Sequence, residues 1–462
     1  MNRPSPPPAR PRAVFTTGSP MRHVVVMAAT GMVGLVAIFV VDLLSLLYIS
    51  WLGDVNVTAG VGYATTALFF STSTNIGMMI AVSATVSRAL GASEPEKARR
   101  LAASGCLLAT LLGAAVGAAL MAGLGPLLTA LGARGEAHDV AHRFLMICMP
   151  SNALMALGMS LGGVLRAVGD ARRGMLVTLA GALSTAVIDP LLIFGVGLGP
   201  DGAAWAIVIS RVVFCVVGWR GATRVHHMLA RPTAREALAD AGPIGHVAVP
   251  AILTNVATPV AFGFMMAVMS RFGDQAVAAA AITARLAPVA FGAVFALSGA
   301  IGPILGQNLG ARLMDRVRQT LTSGLIFTLA CVLTAWLVLA LARDFIVLAF
   351  AASGETAELV RFYCLVVAGA WIAHGSLYVA NAAFNNLGAP LLATGFNWGK
   401  ATLGTIPFAL AGAWFGGAKG AMLGEAAGGA LFGVAAIFTA YGLVARLRRR
   451  AEEHETALRR GA

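Results

Sequence analysis

Long apolar segments recur along the chain, and charged or Gly/Pro-rich breaks separate them. The first, 24–51, is almost uninterrupted and exceeds the roughly 20 residues that a helix needs to cross a bilayer. The segments are 24–51, 58–86, 101–124, 142–165, 174–198, 202–226, 244–270, 276–306, 320–342, 358–384, 391–415 and 419–445. This pattern predicts an all-α integral membrane protein with twelve transmembrane helices.

The composition favours helices that face lipid. Of the 462 residues, 58% are hydrophobic and 11% are charged, whereas a soluble domain has about 25% charged residues. The five cysteines lie inside apolar segments without a CxxC pair, so we expect neither disulfides nor a metal site. The spans contain no His/Glu metal pair, nucleophile elbow or phosphate loop, so we expect no enzyme and no cofactor.

Lys and Arg lie mainly in alternate loops. If the N-terminus is cytoplasmic, 24 basic residues fall on the cytoplasmic side and 6 on the opposite side. Cytoplasmic loops of membrane proteins carry such an excess. We therefore predict a multi-pass protein of the cytoplasmic (inner) membrane, with both termini cytoplasmic and with membrane lipids as partners. The net charge of +13 follows from this bias, and we expect no nucleic-acid partner.

An internal repeat organises the chain. The motif RALGA at 88–92 recurs as QNLGA at 307–311, and LRAVG at 165–169 faces FNNLG at 384–388. The offset is 219 in both cases and 217–220 in the other matched motifs. Because six spans is an even number, the repeats share one orientation in the membrane. The repeat predicts two pseudo-symmetric six-helix lobes.

The predicted lobes and their flanking segments follow from these boundaries. The Pro- and Arg-rich start and the charged end do not look like folded domains. The predicted regions are a disordered cytoplasmic tail at 1–21, an N-lobe with helices 1–6 at 22–226, a cytoplasmic linker at 227–243, a C-lobe with helices 7–12 at 244–446, and a basic cytoplasmic tail at 447–462.

Several motifs in this doubled frame carry a family resemblance. They are VSATVSRALGA at 82–92, LRAVGDARR at 165–173, DPLLIFG at 189–195, GAAWAIVISR at 202–211, PILGQNLGA at 303–311, NLGAP at 386–390 and NWGK at 397–400. In this order the chain, from about 22 to 446, resembles the multidrug and toxin extrusion (MATE) family. It looks nearer to the proton-coupled, DNA-damage-inducible-F-like branch.

Two acids lie deep within the predicted first-half spans. Asp42 stands about 18 residues into the first span and Asp189 about 16 residues into the fifth, and both spans enter from the cytoplasm. At 1.5 Å per residue both acids lie at a depth of about 24–27 Å. Two neighbouring carboxylates in a low dielectric cannot both ionise cheaply, so such a pair can take up and release a proton.

The resemblance implies a role for this pair. In proton-coupled members, acids at these places couple transport to the ion, assisted by an Asn one turn before the second acid. Here that turn holds Thr185 beside Ser184, so the implied ion-coupling set is Asp42, Asp189, Thr185 and Ser184, with a hydroxyl bonding the carboxyl. Sodium-binding members typically carry acids in spans 7 and 10, which have none here beyond Glu358 at the outer edge. A proton gradient is the expected driving force, and sodium is the less favoured alternative.

Polar side chains inside the second-half spans are candidates for lining a substrate cavity. They are Asn255, Thr258, His374, Tyr378, Asn381 and Glu425. Hydrogen bonds between helices are the alternative role for such groups. Glu425 has a second alternative, because it can pair with Lys400 in span 11.

Together these observations predict a secondary active multidrug exporter. It exchanges protons, or less favourably sodium, for small amphipathic organic cations by alternating access. Two alternatives remain open. A lipid-linked saccharide flippase of a related fold would have a cationic cavity and often extra spans. A major-facilitator carrier usually has Gly-x-x-x-Asp-Arg/Lys after span 2, which GASEPEKARR at 91–100 does not fit well.

Overall fold

The computed structural model of the chain describes residues 12–230 and 232–461, in which every regular element is helical. The α-helices are α1 Pro20–Ser50, α2 Val55–Gly91, α3 Pro95–Ala122, α4 Leu124–Ala130, α5 Gly135–Cys148, α6 Asn152–Ala167, α7 Ala171–Pro190, α8 Pro200–Arg220, α9 Ala234–Met269, α10 Asp274–Ala290, α11 Gly292–Gly310, α12 Met314–Ala349, α13 Gly354–Leu365, α14 Trp371–Asn386, α15 Pro390–Gly399 and α16 Ile406–Gly461. Short 3₁₀ or π turns join several of them end to end.

Twelve membrane passes can be traced through these helices. Eleven helical stretches of the described chain are long and apolar enough to cross a membrane. The longest, Pro390–Glu453, contains two passes, because Gly416 and Gly417 leave helical geometry within it. Gly417 has a φ of +58°, which glycine adopts more readily than other residues. The prediction of an all-α membrane protein with twelve transmembrane helices is confirmed.

Prolines interrupt the helix in two of the first-half passes. In the fourth pass, Pro150 lies in the 3₁₀ turn Met149–Ser151 between α5 and α6. In the fifth pass, α7 ends at Pro190 and the chain continues as the π turn Leu191–Gly195. Proline has no N–H to donate and its ring crowds the preceding turn, so regular helix cannot continue undisturbed. This π turn directly follows Asp189 and Pro190.

The described chain forms two compact units. Unit 1 comprises 12–18, 41–248 and 306–313, and unit 2 comprises 19–40, 249–305 and 314–461. The helices α1, α9 and α11 therefore contribute residues to both units. The lobes at 22–226 and 244–446 are defined by the repeat offset rather than by contacts, and they stay a prediction.

Small residues let the helices of unit 1 approach closely. A Cβ on Gly113 of α3 would lie 2.6 Å from the Cβ of Ala156 in α6. A Cβ on Gly105 of α3 would lie 2.7 Å from a methyl group of Val82 in α2. Membrane helices associate through such van der Waals contact, since lipid supplies no hydrophobic driving force between them.

The ends of α2 and α11 cross at two glycines within unit 1. A Cβ on Gly91 would lie 2.0 Å from the backbone oxygen of Gln307, and one on Gly310 would lie 2.2 Å from the backbone oxygen of Arg88. Arg88 and Gln307 are repeat equivalents, and so are Gly91 and Gly310, both at the offset of 219. The contact is therefore reciprocal, like one across a two-fold axis. We call these four residues the glycine crossing.

Residues 12–18 are an ordered part of unit 1. Phe15 is 2% exposed, and its N–H donates to Gln307 Oε1 at 2.8 Å. Gln307 Nε2 in turn donates to the Ala167 carbonyl at 2.7 Å. The predicted disordered tail at 1–21 is therefore wrong for 12–21, because one aromatic side chain anchors the segment and α1 begins at Pro20. Residues 1–11 lie outside the described residues.

Helix extends into the predicted linker and into the basic tail. α9 begins at Ala234, inside the predicted linker at 227–243. Asp240 of this helix is 3% exposed and accepts hydrogen bonds from Arg100 at 3.1 and 3.2 Å and from Ser104 at 2.8 Å. α16 continues to Gly461, so the basic tail extends the last helix.

Candidate functional site

The two predicted coupling acids meet in unit 1. Asp42 and Ser45 lie one turn apart on α1, and Asp189 lies at the end of α7. The Ser45 hydroxyl donates to Asp189 Oδ2. Asp189 is 1% exposed, and its Oδ1 is buried without a hydrogen-bond partner. Asp42 is an exposed residue that lies within electrostatic range of Asp189. The structure therefore places the two acids within electrostatic range of each other, with Ser45 bonded to Asp189.

No positive charge offsets this acid pair among the residues that the structure describes. The buried Arg211 of α8 instead donates to the Cys148 carbonyl at 2.7 Å and to Ser151 Oγ at 2.8 Å. A buried carboxylate without a counter-charge carries a large desolvation cost. Binding a proton removes that cost, so this arrangement is suited to reversible protonation.

The predicted hydroxyl partners of Asp189 have other acceptors. Ser184 donates to the Gly181 carbonyl at 2.7 Å, and Thr185 donates to the same carbonyl at 3.2 Å. The expectation that one of them bonds the carboxyl is wrong, because helical Ser and Thr readily bond a backbone carbonyl three or four residues earlier. Ser45 takes this place. Its spacing of three residues from Asp42 on α1 was the available sequence signal.

Unit 2 holds a different arrangement around Glu425 of α16. Its Oε1 lies 3.8 Å from His374 Nε2 in α14 and 3.9 Å from Lys400 Nζ at the end of α15. The pairing of Glu425 with Lys400, one of the two alternatives expected from the sequence, is therefore present. Here a carboxylate inside the spans faces a lysine ammonium, so its charge is compensated.

The repeat appears again in comparison with known families. The family model described as MatE matches the chain twice, at residues 32–191 and 250–410. The chain belongs to the MATE family. The two matches begin 218 residues apart and end 219 apart, which agrees with the offset of the matched motifs. A MATE protein is a membrane transporter and not an enzyme, and this assignment removes the major-facilitator alternative.

Two curated MATE-type relatives cover most of the chain. A protein of Shewanella oneidensis named as an FAD transporter is 28% identical over 420 residues, which is 90% of this chain and 93% of the relative. A protein of Deinococcus radiodurans named as the probable multidrug resistance protein NorM is 26% identical over 342 residues, or 70% of this chain and 72% of the relative. The two names describe substrates of different kinds.

A solved MATE structure shares the fold. A mutant of the Vibrio cholerae MATE transporter VcmN superposes with a TM-score of 0.87, covering 92% of this chain and 97% of that chain at 24% sequence identity. At this identity the likeness establishes the fold alone. The MATE chain described here is accordingly a multi-pass protein of twelve membrane helices.

The remaining predicted cavity residues of this MATE chain have varied surroundings. Asn381 Oδ1 accepts from Asn397 Nδ2 at 2.8 Å, and Asn255 Nδ2 donates to the Ala251 carbonyl of its own helix at 2.8 Å. The Tyr378 ring lies 5.2 Å from the Phe295 ring, and Thr258 is exposed. Of the six predicted residues, His374 and Glu425 approach each other from different helices, at 3.8 Å. The role of the six as a cavity lining stays a prediction.

Proposed function

We propose that this MATE protein is a proton-coupled exporter of small amphipathic organic cations. It works by alternating access in the cytoplasmic membrane, and both termini are cytoplasmic. The multidrug resistance name of the Deinococcus relative supports the substrate class. The excess of Lys and Arg on one side supports the orientation.

The acid pair of unit 1 is the observation that carries the proposal. Among the described residues, the buried Asp189 bonds Ser45 alone, through Oδ2, and its Oδ1 has no partner. Asp42 adds a second negative charge, and no cation compensates either group in the described chain. In a low dielectric, two such groups bind protons readily and release them when water or a substrate cation reaches them.

The second half gives less support to sodium coupling. The acids of α9, Glu236 and Asp240, lie in its first two turns, and Glu355 and Glu358 lie at the start of α13. The deeper parts of the seventh and tenth passes carry no carboxylate. Sodium, a hard cation, would therefore lack carboxylate ligands at those places.

Transport by purified protein in vesicles tests the coupling ion. An imposed pH gradient should drive uptake of ethidium into inside-out vesicles, and an imposed sodium gradient alone should not. Asp42→Asn and Asp189→Asn should each abolish the pH-driven transport, because they keep the shape and remove the ionisable group. Asp139→Asn, whose parent side chain is 83% exposed, is the matched control and should transport normally. Sodium-driven, pH-independent transport would refute the proposal.

A second candidate substrate comes from the Shewanella relative. Its name and a match that spans 90% of this chain favour a flavin dinucleotide as cargo. FAD is an anion with a large planar ring, so it requires a cationic or neutral site rather than an acidic one. Uptake of FAD and of ethidium by the same vesicles separates the two candidates, because competition between them would indicate one shared path.

A further inference from the structure

The ion pair of unit 2 is incompletely satisfied. Lys400 Nζ and His374 Nε2 lie 3.9 and 3.8 Å from Glu425 Oε1, which is beyond hydrogen-bond distance. The Lys400 and Glu425 side chains are 24% and 26% exposed. The His374 side chain is 9% exposed, and its Nε2, which faces Glu425, has no hydrogen-bond partner among the described residues. Buried polar groups are normally bonded, so the unpartnered Nε2 of His374 beside the loosely paired Glu425 and Lys400 leaves hydrogen-bonding capacity for a ligand.

Glycines hold the cluster in place. A Cβ on Gly428 would lie 1.7 Å from the Gly404 carbonyl oxygen, so α16 contacts the backbone beside Lys400 directly. A Cβ on Gly429 would lie 2.1 Å from His374 Nε2. The spacing of His374, Lys400 and Glu425 is thus set by backbone contact rather than by flexible side chains alone.

An aromatic surface continues from this cluster. The Trp371 ring lies 5.6 Å from the His374 ring, 4.6 Å from the Phe291 ring in a stacked arrangement, and 5.4 Å from the Phe295 ring. Trp371 Nε1 donates to the Tyr363 hydroxyl at 3.1 Å, which fixes the indole. Trp371 and Phe295 are partly exposed, as is Tyr378 beside Phe295. Partly exposed, fixed rings offer stacking area to a planar molecule.

From this arrangement we propose that unit 2 binds the planar aromatic part of an organic cation, with Lys400 as a built-in competitor of the cation for Glu425. The proposal rests on the proposed export of organic cations and names the residues that select their charge. While Lys400 faces Glu425 the pair is neutral. An incoming cation gains the carboxylate only by displacing the ammonium, so it binds weakly enough to be released. Without Glu425, Lys400 favours a planar anion instead.

Binding to purified protein in detergent tests this assignment without any ion gradient. Ethidium serves as the planar cation and fluorescein as the planar anion, and fluorescence polarisation measures both affinities. Lys400→Met should tighten ethidium binding by about fivefold to tenfold, and Glu425→Gln should weaken it by a similar factor while tightening fluorescein binding. The double variant should lose the preference between them. Trp371→Leu should weaken both ligands, because both stack on the ring.

The chain supplies a matched control pair in the same unit. Lys419 Nζ lies 3.0 Å from Glu358 Oε2 on exposed side chains, and Lys419→Met should leave both affinities unchanged. Size-exclusion profiles and melting temperatures identify variants that fail to fold, and conservative Lys400→Arg then substitutes for Lys400→Met with near wild-type binding expected. An ethidium-to-fluorescein ratio that stays the same in Lys400→Met and in Glu425→Gln overturns the proposal.

The binding result is separable from the coupling result. If vesicle transport follows sodium while the Lys400 and Glu425 variants change the charge preference in detergent, the proton-coupled function is wrong and the binding assignment stands. If transport follows the pH gradient while the charge preference ignores both variants, the binding assignment is wrong and the coupling proposal stands.

Discussion

Both units of the chain carry carboxylates inside the spans, and Asp189 of unit 1 and Glu425 of unit 2 have opposite surroundings. In unit 1, Asp189 bonds Ser45, has the negative Asp42 nearby, and has no counter-charge in the described chain. In unit 2, Glu425 faces Lys400 at 3.9 Å and His374 at 3.8 Å. An uncompensated acid changes its charge with the proton supply, whereas a compensated one keeps its charge and selects ligands.

The comparison also shows that the two halves repeat the helices but not the charged side chains. At the repeat offset, Asp42 aligns near Phe262, Asp189 near Ile406, and Glu425 near Ile207. Each charged site therefore has an apolar counterpart in the other half. The halves share helices and glycine contacts while their polar sites have diverged, which agrees with the proposal that ion coupling and substrate selection belong to different units.

The largest effect is expected from placing a positive charge beside Asp189, as Lys400 is placed beside Glu425. Ser45→Lys places an ammonium beside Asp189. An ion pair at about 4 Å is worth roughly 4 kcal/mol at an effective dielectric constant of about 20, which equals about three pH units. Asp189 would then stay charged at neutral pH, and pH-driven ethidium transport should fall at least about a hundredfold.

Ser45→Met is the matched control for this variant, since it has similar length and no charge. It should retain most of the transport, and membrane insertion of both variants is followed by detergent size exclusion. A Ser45→Lys protein that inserts normally and transports at the wild-type rate would show that coupling does not pass through Asp189.

A smaller effect is expected from removing only the hydrogen bond between Ser45 and Asp189. Ser45→Ala deletes the hydrogen bond that favours the charged form of Asp189, and such a bond is worth about 1 kcal/mol or somewhat more. The pH of half-maximal transport should therefore move upward by roughly one unit. Ser50→Ala on the same helix is the control, because the Ser50 hydroxyl bonds the Leu47 carbonyl instead. Equal pH profiles for Ser45→Ala and wild type would show that the Ser45 hydrogen bond does not influence protonation of Asp189.

Neutralising Glu425 should reduce pH-driven transport even less. Glu425→Gln should keep the pH-driven rate at saturating ethidium within about threefold of wild type, because the uncompensated pair that binds the proton is intact. Rates across an ethidium series separate this effect from the expected loss of affinity. A rate near zero at saturation would make Glu425 a coupling residue and remove the distinction between the units.

The smallest effect is expected at Thr185. Its hydroxyl bonds the Gly181 carbonyl at 3.2 Å and does not bond Asp189. At each pH, the transport rate of Thr185→Val should therefore stay within about twofold of the wild-type rate. The same vesicle assay measures it. Complete loss of pH dependence in Thr185→Val would restore this residue to the coupling set that the family resemblance implies.

The passes could be predicted from sequence because a span depends only on the residues along one helix. Counting residues from the cytoplasmic end of the spans also predicts a matched depth for Asp42 and Asp189, which stays a prediction. The partner of Asp189 depends instead on the rotation of α1 against α7, and hydropathy carries no information about that rotation. For this reason Ser45 was missed and the nearer residues Thr185 and Ser184 were expected.

The ordered N-terminal segment escaped prediction for a related reason. Composition averages over the Pro- and Arg-rich start, whereas its position is decided by one side chain, Phe15, and by the side chain of Gln307 almost three hundred residues later. The pairing of Lys400 with Glu425 was among the alternatives, because two opposite charges inside spans have few other ways to be stabilised. The structure was needed to show which nearby polar group, His374, joins this pair.

The glycine crossing has an evolutionary consequence. Two halves matched by one family model point to duplication of a gene for six helices, whose product would have worked as a pair. In such a pair a single glycine codon would have supplied the equivalents of both Gly91 and Gly310, and any mutation in it would have altered both sides of the contact. Fusion into one gene would have given each glycine its own codon, so that one mutation alters only one side of the contact. After fusion, the two copies of the motif could change independently. Arg88 and Gln307 now differ, whereas both copies keep the glycine, as Gly91 and Gly310.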